Sequence, residues 1–201
     1  IPPDVRVVVV EGGTPGPIRS QLAKLCQERP FEHVSFPYMV TPNEARNIGV
    51  QKSDSTFVVL ADNDIHYEPG WLGALERNAE ETGAVAVAPL IFIGPDETKR
   101  IHHAGGRLQL KRRPDGAAVV VERHRLMNVP FDNVASNLNA EAPVENDVCE
   151  FHCMLMRKSF FDYMGGLDEH LITREQVDFA LRVKAAGERV TFEQNSRVTY
   201  M

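Results

Sequence analysis

The sequence predicts an α/β domain, with a mostly parallel sheet flanked by helices. Two observations carry this prediction. Short, β-branched apolar runs at Val5–Val10, Thr56–Ala61 and Ala84–Pro89 read as buried strands. Between them lie amphipathic segments with their own start and stop signals. Strands that alternate with helices favour parallel neighbours covered on both faces. Ligands in such sheets bind beyond the carboxyl ends of the strands. Glu11 and Asp62 stand at those ends.

The elements follow in order. Val5–Val10 is stopped by Glu11-Gly12-Gly13. Ile18–Glu28 is an amphipathic helix, with Ile18, Leu22 and Leu25 on one face and Pro17 near its start. His33–Val40 is a strand whose Pro37 places it at an edge. Thr41-Pro42-Asn43-Glu44 starts the next helix, with Thr41 as N-cap, Pro42 first and Glu44 closing a capping box. After Thr56–Ala61, Pro69 opens a helix that Gly83 ends. Arg107–Leu110 and Ala117–Val121 form a hairpin around Pro114-Asp115-Gly116. Val148–Arg157 is a strand, Ser159–Met164 a short helix, and Thr173–Ala186 the last helix. Arg189–Phe192 and Arg197–Tyr200 are short closing strands.

The 201 residues carry 22 Lys+Arg against 28 Asp+Glu, a net charge of −6, which argues against duplex nucleic acid as a partner. Hydrophobic residues are 43% and charged residues 25%, ordinary for a globular domain that needs no disulfide or structural metal. Cys26, Cys149 and Cys153 form no CxxC pair, which fits a reducing compartment. No run is long enough to span a bilayer and no signal peptide stands at the start. A cytoplasmic location is expected, with any membrane association made through parts outside this chain. Ile1 and a strand almost at once imply that the natural N-terminus lies upstream.

Asp62-Asn63-Asp64 is the sharpest chemical feature. Residues two apart on an extended segment point to one side, where two carboxylates can grip one Mg²⁺ or Mn²⁺. Such an ion neutralises charge on a departing diphosphate. An isolated Asp-x-Asp is more often a solvated turn, but at the end of a buried strand the site is favoured. Arg46 heads the helix before that strand and can reach a base or phosphate, although a solvated helix face is the plainer reading. Glu175 and Asp178 share a face of the last helix, and either is a possible general base. Their structural alternatives are dipole complementation for Glu175 and an ion pair with Arg182 for Asp178, with Thr173 and Gln176 making a capping box. His102-His103 read as ordinary histidines, and His152 is a further candidate on a strand that can border the cleft. Cys153 and Trp71 read as packing residues.

Taken together, three segments resemble the family-2 glycosyltransferases of the GT-A fold. PDVRVVVVEGGT is similar to that family's second strand. ARNIGVQKSDSTFVVLADNDIHYEPGWL is similar to its Arg-Asn-x-Gly helix, strand and Asp-x-Asp loop. CMLMRKSFFDYMGGLDEHLITREQVDFALRVKAAGERV is similar to its acceptor-side segment. The blocks come in the family's order and cover nearly the whole chain.

The resemblance implies a single GT-A-like domain over 1–201, with a nucleotide- and metal-binding half at 1–93 and an acceptor-side half at 94–201. It implies a nucleotide-diphosphate sugar donor, a divalent cation (Mn²⁺ or Mg²⁺) and a carbohydrate or other hydroxyl acceptor, cell-envelope polysaccharide being one setting. By position Glu11 and Arg46 match nucleotide-pocket residues, with Asp62 beside them, and Asp62 and Asp64 match the metal motif. Glu175-Gln176 matches a Glu-Asp pair whose Asp is the usual base. Here that place holds an amide, which accepts no proton at neutral pH. Tyr200 stands where many members carry a metal-binding His, Glu11 replaces an Asp, and the family's first strand has no counterpart. The expected reaction is an inverting sugar transfer with Glu175, then Asp178, as base. The alternatives are a non-catalytic GT-A-like binding module that has lost its base, and a nucleotidyltransferase.

Overall fold

The computed structural model describes residues 2, 4–94, 99–140 and 146–201. They form two compact units: Ile1–Ser55 with Phe161–Glu175, and Thr56–Phe160 with Gln176–Met201.

In the first unit, β1 (Val7–Gly12) and β2 (Phe31–Phe36) pair in parallel, from Val7 opposite Phe31 to Gly12 opposite Phe36. α1 (Gly16–Glu28) makes the crossover, and α2 (Pro42–Gln51) packs on β1. The start of α2 is as the sequence predicts. Thr41 Oγ1 accepts from Glu44 N at 3.2 Å, and Glu44 Oε2 accepts from Thr41 N at 3.2 Å. Gly12 is required by packing, because a Cβ there would lie 2.5 Å from Tyr38 O.

α2 also fixes the Gly165–Glu169 segment. Asn47 is buried; its Nδ2 donates to Leu167 O at 2.9 Å and Glu169 Oε1 at 2.8 Å, and its Oδ1 accepts from Leu167 N at 2.8 Å. Asn43 Nδ2 adds a bond to Asp168 O at 2.8 Å. Gly165 and Gly166 make the turn at φ +73° and +83°, where a Cβ is disfavoured. Asn47→Ala leaves Leu167 N and Leu167 O without these bonds in a buried place. It is expected to cost about 2–4 kcal/mol, read as a lowered urea midpoint; a loss below about 0.5 kcal/mol would contradict the bracing role.

The second unit contains β3 (Phe57–Ala61), β4 (Ile65–Tyr67), α3 (Trp71–Thr82), β5 (Ala86–Ile93), β6 (Arg100–His103), β7 (Gly106–Arg112), β8 (Ala118–His124), a 3₁₀ turn at Phe131–Asn133, α4 (Ala135–Ala140), β9 (Cys153–Arg157) and β10 (Val190–Tyr200). α5 (Lys158–Tyr163) and α6 (Glu175–Ala185) each carry a boundary between the units. The sheet order is β3-β9-β5-β10-β4, with β6 added to β5, and β7–β8 is a separate hairpin.

The α/β class holds, and the strand directions are the correction. β5–β10 is parallel, whereas β3–β9, β5–β9, β5–β6 and β4–β10 are antiparallel. Between β5 and β9 the chain makes a long excursion through β6 and the β7–β8 hairpin, so β9 is not joined to β5 by the single strand–helix–strand unit that enforces a parallel neighbour.

The core lies along β5, whose residues from Ala86 to Phe92 are all buried. Leu90, Phe92, Ile101, Ala104, Leu138 and Phe192 form one cluster on it. Fully burying each such large side chain contributes roughly 1.5–3 kcal/mol. α3 covers the sheet with Trp71, Leu72, Ala74, Leu75 and Ala79, and Trp71 stacks on Tyr67 at 4.3 Å. Trp71 and Cys153 are packing residues, as expected.

Several boundaries differ from expectation: β2 ends at Phe36 rather than Val40, and β9 begins at Cys153 rather than Val148. α3 begins at Trp71, because Gly70 at φ +82° precedes it. α6 begins at Glu175, because Arg174 adopts φ +60° and cannot join a right-handed helix. Thr173 is therefore not the residue adjoining the helix, and the Thr173–Gln176 capping box is corrected. The two closing strands are one, β10, with a register shift between Glu193 and Arg197.

Candidate active site

In the first unit, Glu11 is buried at the carboxyl end of β1. It accepts a short hydrogen bond from the Ser35 hydroxyl on β2. Arg19 Nε lies 3.5 Å and His33 Nε2 3.7 Å from Glu11 Oε1. The Ser35 and Thr14 hydroxyls, then the charges of Arg19 and His33, hold this carboxyl below the usual carboxylate range.

Ionised Glu11 adds stability above its unfolded value near 4.5, and that stability is lost as pH falls through its lower folded value. Glu11→Gln is therefore expected to lower the melting temperature near neutral pH and to converge with the parent chain in acid. An equal difference at both ends of the pH range would contradict it.

Arg46 stands on the second turn of α2 with its side chain largely covered. Its Nη1 donates to Asn43 Oδ1 at 3.2 Å and to Glu175 Oε1 at 3.2 Å. Two residues singled out separately in the sequence thus form one ion pair, with side-chain exposures of 13% and 15%.

In the second unit, Asp62 directly follows β3 and Asp64 directly precedes β4. Asp62 N donates to His152 O at 3.0 Å, and Asp62 Oδ2 lies 2.9 Å from His152 Nδ1. Asp64 O accepts from Met201 N at 3.0 Å. Asp64 Oδ1 is buried and has no hydrogen-bond partner among the described residues. An uncompensated buried carboxylate oxygen is costly, and a cation is the partner that two carboxylates at a strand end can share. The donor set therefore fits a hard divalent cation.

His152 is the residue whose importance the sequence understated. Its bond to Asp62 raises its pKa, against the opposing effect of burial. Its ring stacks on Tyr200 at 4.2 Å, and His102 completes the group at 5.2 Å from His152. Tyr200, at the position of the resemblance's metal-binding His, thus backs an imidazole that does reach the Asp62 carboxylate.

On α6, Asp178 Oδ2 lies 3.6 Å from Arg182 Nη1, the ion pair that spacing predicted. Gln176 Nε2 lies 3.5 Å from Glu122 Oε2 on β8. Among the described residues no helix is long and apolar enough to cross a membrane.

Residues 1–165 match the glycosyl transferase family 2 profile. The chain belongs to that family. The pre-mycofactocin glycosyltransferase of Mycobacterium tuberculosis is 26% identical over 201 residues, 98% of this chain and 37% of the relative. The chain thus spans 37% of that curated relative's length. Among solved structures, GalNAc-T7 with UDP, GalNAc and Mn²⁺ superposes with a TM-score of 0.69 at 15% identity, over 97% of this chain and 37% of that one. The mannosyltransferase PcManGT from Pyrobaculum calidifontis, in complex with GDP-Man and Mn²⁺, gives 0.63 at 14% identity, over 96% and 47%. The family-2 chain therefore has the GT-A fold.

Proposed function

We propose that this family-2 chain is a glycosyltransferase domain that moves a sugar from a nucleotide-diphosphate donor to a hydroxyl acceptor with inversion. The observation that carries the proposal is the Asp62–Asp64 pair after β3, one carboxylate oxygen of which is buried and unpartnered. The similar structures were solved with UDP or GDP-Man and Mn²⁺, which supports this donor class and a divalent cation. Asp62 and Asp64 would hold the ion, and the ion supplies charge neutralisation for the leaving diphosphate. Glu11 and Arg46, the latter in the helix before the Asp62 strand, serve the nucleotide. Glu175 takes the acceptor hydroxyl proton, its carboxylate positioned by Arg46 at the start of α6. Asp178, paired with Arg182, is the second choice for that role.

The test is a panel of UDP- and GDP-sugars with Mn²⁺ or Mg²⁺ and simple sugar acceptors. Nucleotide diphosphate release and the anomeric configuration of the product are read together. Metal-dependent release with an inverted product supports the proposal. Retention of configuration overturns the mechanism, and absence of release with every donor overturns the activity.

One observation favours the binding-module alternative. Gln176 occupies the place of the usual base, and both nearby carboxylates are engaged by arginines. That alternative expects nucleotide binding without turnover, and turnover gained by Gln176→Asp.

A further inference from the structure

Behind the Asp62 region the second unit holds a cluster of histidines that the proposed reaction does not use. β6 runs Arg100–His103, and alternation along the strand sends Ile101 and His103 to the buried face. His103 is 0% exposed, and among the described residues neither Nδ1 nor Nε2 has a hydrogen-bond partner. A buried imidazole normally finds a partner for each nitrogen, so two bare nitrogens call for a ligand.

Two groups from other elements face it. His124 ends β8, its ring 6.1 Å from that of His103 and near perpendicular at 78°. Glu150 precedes β9, with its Oε1 3.7 Å from His124 Nδ1. One ligand atom from each of His103, His124 and Glu150 lies within 4.8 Å of the others. Phe192 closes the apolar side, its ring 6.3 Å from His103.

We infer that His103, His124 and Glu150 form a second metal site, distinct in chemistry from the Asp62–Asp64 pair and suited to Zn²⁺ or a similar borderline-soft divalent ion. Two imidazoles and a carboxylate are a donor set for such ions, whereas all-oxygen sets suit Mg²⁺ and Mn²⁺. Glu150 also belongs to a cluster with His102 and His152, but His152 is already joined to Asp62. The inner triad is therefore the site, tying β6, the β7–β8 hairpin and the segment before β9 together.

The test uses the chain carrying Asp62→Asn and Asp64→Asn, which removes the hard-cation pair. Co²⁺ is titrated as a spectroscopic stand-in for Zn²⁺, with stoichiometry measured by elemental analysis and competition by Zn²⁺. One Co²⁺ per chain is expected, with visible absorption that Zn²⁺ displaces. His103→Ala risks the core, so His124→Ala and Glu150→Gln, both at partly exposed positions, are added to the same background. Losing an outer partner of a ligand costs roughly 10–100-fold in affinity, so losing a ligand should cost at least about 100-fold. Absence of Co²⁺ binding in the first variant, or a smaller loss in either addition, overturns the inference.

Discussion

Asp64→Asn is expected to abolish metal-dependent nucleotide binding while leaving the metal-free fold as stable as before, or more so. The reason is the buried, unpartnered Asp64 Oδ1. In the metal-free chain that oxygen is a cost, because a buried acceptor without a hydrogen-bond partner lacks compensation. The amide keeps the shape and removes the charge. With the cation present the balance reverses, since the lost charge was a ligand. Removing electrostatic stabilisation of a developing charge costs roughly 10²–10³-fold in turnover. Melting curves with and without Mn²⁺, together with the donor-turnover assay, check both halves. A variant that keeps its Mn²⁺ response would remove Asp64 from the site.

Glu175→Gln is expected to lower turnover by about 10²–10⁴-fold, the usual contribution of a general base, with donor affinity unchanged. The amide still offers an oxygen to Arg46 Nη1, and Asn43 Oδ1 continues to hold the same nitrogen. The change therefore tests proton acceptance more than folding. Asp178→Asn is the control: its carboxylate is more exposed and held by Arg182. If Asp178→Asn removes activity and Glu175→Gln does not, the roles are reversed.

What could be read from the sequence was local. The Thr41–Glu44 capping box, the stop at Gly83 and the hairpin turn at Pro114-Asp115-Gly116 depend on neighbours within a few residues, and all three stand in the structure. β4 escaped notice because three residues with an exposed His66 carry no pattern; it exists by pairing with Val198–Tyr200. β6 was hidden by its two histidines, one of which is buried. The polar stretch Glu193–Ser196 read as a loop, yet a register shift lets β10 pair with β5 on both sides of it.

The site divides in the same way. The Asp62–Asp64 spacing is local and legible. The Asp62–His152 bond joins residues 90 apart, and the Arg46–Glu175 pair joins residues 129 apart. No spacing rule reaches that far. Glu175 and Arg46 were each found for a local reason, and only the folded chain shows that they belong to each other.

The most direct measurement is the melting temperature of the chain with UDP or GDP, in Mn²⁺ and again in excess chelator. A ligand of the folded state adds about 2.7 kcal/mol at a hundredfold excess over its Kd. The expected result is stabilisation by a nucleoside diphosphate in Mn²⁺ that disappears in chelator and in Asp64→Asn. Stabilisation that is equal with and without metal, or no response to either nucleotide in Mn²⁺, would contradict a metal-bridged nucleotide site at Asp62 and Asp64.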